Sequence, residues 1–282
     1  MPYLELARFE SAALNRMFDL RYNLISALVD RWCPETHTFH LSRGECTVTL
    51  EDVALHFGLP IEGSAVMGVS AIAEPTALFN ATEEELMCAA RAYIMHIIGG
   101  VLMPNANNNR VHLQYLPLLA NLRNVRSYSW SSAVLAMLYR DLCRTTKPDA
   151  ADIGGCIVLL QSWALYWMPF LASFIWMSYR RPEIAAIIPS SAYVDSQLWC
   201  TNASIINFNV VEWYHGDRIL RQFSCIQYIL NLPMQVGRFT ALTREENMEV
   251  IGELCTENIL RCGIIGWLED LRWICLPICN HC

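Results

Sequence analysis

The spacing of apolar positions along the chain predicts a mostly helical protein. Apolar residues recur near helical spacing between Leu14 and Trp32, which predicts an amphipathic helix over that range. A second helix is predicted from Thr82 to about Ile98, because Thr82 and Glu85 form a capping-box pattern. Two more helices are predicted over Val111–Leu122 and Ser131–Cys143.

Near residue 40 the pattern changes from helical spacing to that of short strands. Thr36–Leu41 and Cys46–Thr49 are rich in threonine and apolar residues and are separated by a turn, which predicts a β-hairpin. Thr49 can then cap a helix whose first turn carries Asp52. Because strand alternation and helical spacing aim them inward, six apolar side chains are expected to be largely buried. They are Trp32, Phe39, Val48, Leu50, Val53 and Phe57.

The pattern is weaker after Arg181, where Ile205–Trp213 is strand-like and Asp217–Phe223 resembles a short helix. We expect a polar network at this strand-to-helix turn. In it Asp217 would cap the helix, and Arg218 or Arg221 would pair with a carboxylate. The predicted fold class is therefore mainly α, with a small N-terminal β-hairpin and a short strand near residue 208.

Three blocks of sequence resemble one known family. They are Arg31–Pro60, which reads RWCPETHTFH and then GECTVTLEDVALHFGLP, Tyr115–Ala164 around YSWSSAVLAMLYRDLC, and Val211–Phe223, which reads VEWYHGDRILRQF. In this order they closely resemble the plant mobile domain, the family of the maintenance-of-meristems proteins and of domains carried by plant transposons. The resemblance implies a plant mobile domain-like region over 1–235 and a divergent segment over 236–282.

The resemblance also implies a function and a set of motif residues. It implies a nuclear protein, not an enzyme, that acts through nuclear protein partners in meristem maintenance, gene regulation and transposon silencing. One such partner could be a serine/threonine phosphatase-like protein. The motif residues, to which we assign structural roles, are Trp32, Glu35, His37, Phe39, Glu45, Asp52, Glu212, Trp213, His215, Asp217 and Arg218.

Composition argues against a general nucleic-acid binder. The formal net charge is −7 and only 17% of residues are charged, so the chain lacks an overall basic field. A low charged fraction also favours either a large interior or apolar surface that a partner covers.

A sequence-specific DNA-binding module derived from a transposon protein remains the alternative. Ala54 and Gly58 resemble the first helix of a helix-turn-helix, but the segment after Pro60 has no arginine to reach phosphate or bases. A nucleic-acid or partner contact is better placed on four arginines around Ser127–Trp130. They are Arg123, Arg126, Arg140 and Arg144. A third hypothesis is a decayed mobile-element fragment.

Few residues in the sequence are candidates for catalysis or for metal binding. Family members have been described as aminotransferase-like, but Lys147, the only lysine, lies in a polar turn where a pyridoxal phosphate Schiff base is not expected. His37 and His40 should lie on opposite faces of a strand, which disfavours a shared metal. Cys275–Cys282 could attract zinc, although it lacks a distant second pair of ligands. No cofactor is predicted.

Two features bear on the compartment. The twelve cysteines are scattered through apolar stretches, which predicts free thiols in a reducing compartment. Cys156–Met177 carries no charge and is long enough to span a bilayer, but its polar interruptions favour a buried core helix. We expect a nuclear protein without a membrane segment.

Overall fold

The structure is a computed structural model that describes most of the first 223 residues. The described ranges are 2–14, 19–41, 44–67, 81–104, 112–147, 153–168, 182, 186–188 and 198–223. The predicted boundary at residue 235, the segment 236–282 and the C-terminal cysteines lie outside these ranges.

Within the described residues, three short helices precede the first strands. They are α1 (Pro2–Ala7), α2 (Glu10–Leu14) and α3 (Tyr22–Val29). The single helix predicted from Leu14 to Trp32 is therefore wrong at both ends, because residues 19–21 are not helical and α3 runs only from Tyr22 to Val29. Trp32 instead begins a strand, and its backbone pairs with Phe39.

The predicted N-terminal hairpin is part of a three-stranded antiparallel sheet, called here the N-terminal sheet. Its strands are β1 (Trp32–Cys33), β2 (Thr38–Leu41) and β3 (Gly44–Cys46), with β2 in the middle. The second predicted strand, Cys46–Thr49, is thus shifted toward the N-terminus. His37 does not lie on the strand as predicted, because it occupies the turn before β2 with a positive φ of 52°.

Helix α4 (Leu50–Phe57) begins as the sequence predicts. Thr49 is its N-cap, and the side chains of Thr49 and Asp52 each accept a hydrogen bond from the other residue's backbone N–H. Gly58 is the C-cap of the helix; it has φ 66° and lies so close to α2 that a Cβ atom there would meet the Ser11 hydroxyl at 2.8 Å. Residues 59–67 then form a loop, so no recognition helix follows α4 directly.

A longer helical segment follows. Helix α5 (Ala81–Ile97) continues into a π-helical turn (Ile98–Leu102) that contains the glycine pair of the sequence. The helix predicted over Val111–Leu122 is instead a 3-10 helix (Leu113–Leu119) followed by the short α6 (Leu122–Val125). Pro117 lies inside that 3-10 helix, and proline has no N–H to donate to a regular α-helix.

The core is organised around α7 (Trp130–Thr145), which contacts α4, β1 and the two strands near residue 208. Helix α8 (Ile157–Trp167) packs against α3 and α4 and is largely buried. Of the apolar stretch Cys156–Met177, the structure describes only the part up to Met168, and this part is a core helix as predicted. All six side chains predicted to be buried are at most 5% exposed.

The strand predicted near residue 208 is a hairpin of two strands. Strand β4 (Ala203–Asn207) pairs with β5 (Val210–Tyr214), and Phe208 lies in the turn with φ 53°. We call this pair the C-terminal hairpin. It leads into a second 3-10 helix (Gly216–Phe223). The predicted fold class, mainly α with a small N-terminal β element, is confirmed.

One described helix is long and apolar enough to cross a membrane by length and composition alone. It is the segment Glu85–Leu102, of which a third is buried. Its C-terminal half carries core residues, including Ile94, Ile98 and Leu102. Core helices of other proteins pass the same test, so this segment carries little weight as evidence for a membrane span.

Candidate functional site between two hairpins

The motif residues from the two ends of the resemblance meet in space. His37, in the turn of the N-terminal sheet, contacts the C-terminal hairpin through both ring nitrogens. Its Nδ1 lies 2.7 Å from the backbone oxygen of Trp213, and its Nε2 lies 3.3 Å from the Glu212 carboxylate. Two sequence blocks about 175 residues apart therefore form one site.

Aromatic rings surround His37 on the side of the core. Its ring stacks on Trp32 with a centroid distance of 6.0 Å and lies 5.1 Å from the ring of Tyr139 on α7. The positive φ of His37 turns the backbone sharply between β1 and β2. This turn lets a residue next to the strand point its side chain toward β5.

The electrostatics of the site favour a charged His37. Burial, the largest influence, lowers the pKa of His37, but hydrogen bonds to Cys143 and Glu212 more than offset it. The pKa rises to about 10. With both nitrogens facing oxygen acceptors, the imidazole acts as a cation that donates twice.

A second contact joins the same elements. The Arg218 guanidinium donates two hydrogen bonds to the Glu45 carboxylate, each 2.8 Å long. The hydrogen bonds from Arg218 hold the pKa of Glu45 below its usual value. The predicted pairing of Arg218 with a carboxylate is confirmed, and its partner lies on β3. We call His37, Glu45, Glu212, His215 and Arg218 the hairpin junction.

His215 differs from His37 in charge. It is a buried member of the junction, with its ring centroid 6.3 Å from that of His37. Burial, together with the positive charges of His37 and Arg218, lowers the pKa of His215 to about 4. Of these two neighbouring histidines, His37 is therefore protonated and His215 is neutral near neutral pH.

The motif residues outside the hairpin junction lie at positions where they support the fold. Trp213 and Phe39 are buried, whereas Glu35 is exposed and lies 3.2 Å from the Cys33 sulfur. The prediction that Asp217 caps the following helix is wrong, because the second 3-10 helix begins at Gly216 and Asp217 lies in its first turn, where its backbone N–H donates to the Asn202 side chain. Asp52 is fully buried and accepts from the Trp167 indole N–H at 3.1 Å.

Several residues of the site were not found from the sequence. The Gln222 side chain accepts from the Thr47 N–H at 2.9 Å and donates to the Thr47 carbonyl at 3.0 Å. The Tyr139 hydroxyl donates to the Val48 carbonyl at 2.8 Å. Gln222 belongs to the third block of the resemblance, and this membership was the one sequence signal that could have marked it as part of the site. In the sequence, nothing distinguishes Tyr139 from other residues of a predicted helix or Thr47 from other residues of a predicted strand.

The four arginines considered for nucleic acid fall into two pairs. Arg123 and Arg126 are exposed on and just after α6, before α7 begins. Arg140 and Arg144 lie in the last turns of α7, roughly 15–20 Å further along the helix axis. Arg144 also forms an ion pair with Asp141, with an N–O distance of 3.1 Å. The structure therefore offers two small basic surfaces.

The residues considered for cofactor and metal chemistry lie apart. Lys147 is exposed just beyond α7. His40 is exposed on β2, with its Nε2 3.9 Å from Glu45, while His37 faces the C-terminal hairpin. Within the described ranges, no group of three or more His, Cys, Asp or Glu side chains is arranged to hold a metal ion.

Comparison with known proteins decides the family. The model of the family described as plant mobile domain matches residues 9–87 and 74–173, which is more than half of the chain. The chain belongs to the plant mobile domain family. This confirms the resemblance inferred from the sequence blocks.

Three relatives of this plant mobile domain chain are proteins of Arabidopsis thaliana. Protein MAINTENANCE OF MERISTEMS is 28% identical over 80% of this chain and 62% of the relative, and Protein MAIN-LIKE 1 is 27% identical over 89% and 61%. Serine/threonine-protein phosphatase 7 long form homolog is 32% identical over 74% of this chain but only 22% of the relative. The chain thus spans less than two thirds of each of these relatives. No solved structure matches it.

Proposed function

We propose that this plant mobile domain is a non-enzymatic nuclear module that acts through protein partners in gene regulation, transposon silencing and meristem maintenance. The observation that carries the proposal is the hairpin junction. Its ionisable side chains face one another, and they join elements from the two ends of the domain. Such an arrangement suits a scaffold, whereas a catalytic site presents its reactive groups to a substrate.

The surface supports protein partners more than nucleic acid. Exposed apolar side chains occur on α5 and on the first 3-10 helix, among them Tyr93, which is 41% exposed, and Leu113, which is 73% exposed. Apolar surface of this kind is what a protein partner covers. The net charge of −7 works against association with a polyanion.

Two relatives suggest the setting of the module. One relative is named for meristem maintenance and another is named as a serine/threonine-protein phosphatase homolog. We therefore propose nuclear proteins as partners, with a serine/threonine phosphatase-like protein as the first to test.

The test is recovery of partners from plant nuclear extract with the purified chain as bait. One sample is treated with nuclease and one is not. We expect the same partners in both samples, since protein contacts do not need nucleic acid. Partners that disappear on nuclease treatment would contradict the proposal.

A salt titration on genomic DNA fragments tests the alternative function directly. Arg123→Gln with Arg126→Gln removes one basic surface, and Arg140→Gln with Arg144→Gln removes the other. Arg21→Gln with Arg31→Gln is the charge-matched control on exposed residues elsewhere. We expect no sequence-selective binding at physiological salt. Tight binding that either test pair abolishes and the control pair keeps would favour the DNA-binding module.

A further inference from the structure

The N-terminal half of helix α5 lies outside the core. Every residue from Glu85 to Tyr93 is at least partly exposed, whereas Ile94 and Ile98 further along the same helical segment are buried. Within the exposed stretch the charged residues are Glu85 and Arg91, and most of the others are apolar. An apolar helix that its own core leaves uncovered is typical of a surface that another molecule covers.

One side of α5 already has partners within the chain. The Arg91 guanidinium donates to the carbonyl oxygens of Leu119, at 3.0 Å, and Ala120, at 2.7 Å. The helix also contacts α1 and the first 3-10 helix. Because successive helical residues are rotated by about 100°, the exposed residues of α5 fall mostly on the side opposite to these contacts. We call that side the α5 outer face.

The α5 outer face has a central row and an apolar flank. The central row consists of four exposed residues that are spaced three or four positions apart, so they lie one above another along the helix. They are Glu85, Ala89, Ala92 and His96. The flank consists of Leu86, which is 54% exposed, and Tyr93.

The order of residues in the central row is symmetric. The midpoint between Ala89 and Ala92 is also the midpoint between Glu85 and His96. A second copy of α5, antiparallel and related by a two-fold axis through this point, therefore places Ala89 against Ala92 and Glu85 against His96. The alanines allow the helix axes to approach to about 8 Å, and each carboxylate faces an imidazole that can donate to it.

We propose that this chain forms a symmetric dimer in which the α5 outer faces of two copies pack against each other with their helices antiparallel. The proposal extends the proposed function, since it assigns part of the apolar surface offered to protein partners to a second copy of the chain. The same two-fold axis brings Leu86 of each copy beside Tyr93 of the other, so the flank is covered as well. A self-complementary order of acid, alanines and histidine suits a second copy, whereas a different protein requires no such symmetry.

The strength of the dimer follows from the size of the face. One helix face of a few turns is smaller than a standard protein interface, so we expect reversible association with a Kd of roughly 10–100 μM. Sedimentation velocity of the full chain from about 1 to about 300 μM should show a change from monomer to dimer. A reducing agent is present throughout, because the exposed Cys88 lies on α5 and a disulfide would imitate the dimer.

A charge placed at the centre of the face tests its location. Ala89→Glu puts two carboxylates into the contact between the alanines and should raise the Kd at least about tenfold. The control Asn124→Glu adds the same charge on the exposed side of α6 and should leave the Kd unchanged. Circular dichroism checks that each variant is folded, and Ala92→Glu repeats the test if Ala89→Glu does not fold.

A charge swap tests the antiparallel register. His96→Glu places two carboxylates opposite each other and should weaken the dimer. Glu85→Arg combined with His96→Glu restores opposite charges and should return the Kd to within about threefold of the wild-type value. A parallel dimer brings each residue beside its own copy, so it gives no such rescue.

The proposal is overturned if the chain stays monomeric over the whole concentration range, if folded Ala89→Glu dimerises like the wild type, or if the charge swap does not restore the dimer. A monomeric chain that still recovers nuclease-resistant nuclear partners would overturn the dimer and leave the proposed function in place. If Ala89→Glu then lost those partners, the α5 outer face would belong to them instead of to a second copy.

Discussion

At the scale of single residues, the aromatic contacts under the N-terminal sheet explain why a short sheet can anchor a helical domain. Phe39 is fully buried, with its ring centroid 4.8 Å from that of Trp32 and 5.2 Å from that of Trp163 on α8. Each of these rings belongs to a different secondary-structure element. A single strand residue therefore connects the sheet to the helical core.

Phe39→Ala should lower the free energy of unfolding by about 3–5 kcal/mol, since it leaves a cavity between two indole rings. Urea denaturation followed by tryptophan fluorescence measures the change. The control is Leu113→Ala, on a side chain that is 73% exposed, which should change stability by less than about 0.5 kcal/mol. Equal stability of the two variants would show that the sheet is peripheral to the core.

At the scale of elements, the sequence predicted local features well. The cap of α4 was predictable because Thr49 and Asp52 are three residues apart, and the burial of Val53 and Phe57 follows from helical spacing. The pair of strands β2 and β3 was predictable because a short turn separates them, whereas β1 was not predicted and β3 lies nearer the N-terminus than expected.

The errors arose where long-range contacts decide the local structure. Trp32 has helical spacing from Leu28, yet its backbone pairs with Phe39 and forms a strand. His37 was predicted to lie on a strand. No sequence pattern reveals that its ring contacts the Glu212 carboxylate and the Trp213 carbonyl. Contacts between residues about 175 positions apart depend on how α7 packs against both hairpins. The spacing of apolar residues and the composition of the chain do not describe that packing.

The ion pair between Glu45 and Arg218 can be tested as a link between elements. Arg218→Met and Glu45→Gln should each destabilise the chain, and the double variant should be less destabilised than the sum of the two. Because both side chains are partly exposed, we expect a coupling energy of about 1 kcal/mol.

The measurement is a double-mutant cycle by urea denaturation. Arg221→Met serves as the control, since Arg221 lies on the same 3-10 helix but is exposed. Strict additivity of the Glu45 and Arg218 variants would mean that the pair does not link β3 to the second 3-10 helix.

At the scale of the whole molecule, the two ends of the described domain are joined through His37, whose protonation state differs from that of the neighbouring His215. His37 is charged and has its pKa raised to about 10. His215 and His56 are neutral, and burial is the first cause that lowers the pKa of each to about 4. The stability of the fold should therefore depend on pH on both sides of the ordinary histidine pKa of 6.5.

The signs follow from proton binding in the folded and unfolded states. Between pH 6.5 and 10 the folded state binds a proton at His37 that the unfolded state lacks, so stability falls as the pH rises. Between pH 4 and 6.5 the unfolded state binds protons at His56 and His215 that the folded state lacks, so stability falls as the pH drops. Maximum stability is therefore expected near pH 6.5.

Urea denaturation at intervals from pH 4.5 to 8 tests this expectation, since the upper limit stays below the ordinary pKa values of cysteine and tyrosine. His37→Gln should remove the loss on the alkaline side, which we expect to be on the order of 2 kcal/mol, and should leave the acid side in place. His215→Gln should do the reverse, weakening the acid-side loss only. The control His40→Gln changes an exposed histidine and should shift neither side. If His37→Gln reproduced the wild-type alkaline loss, the charge on His37 would not be what joins the two hairpins at neutral pH.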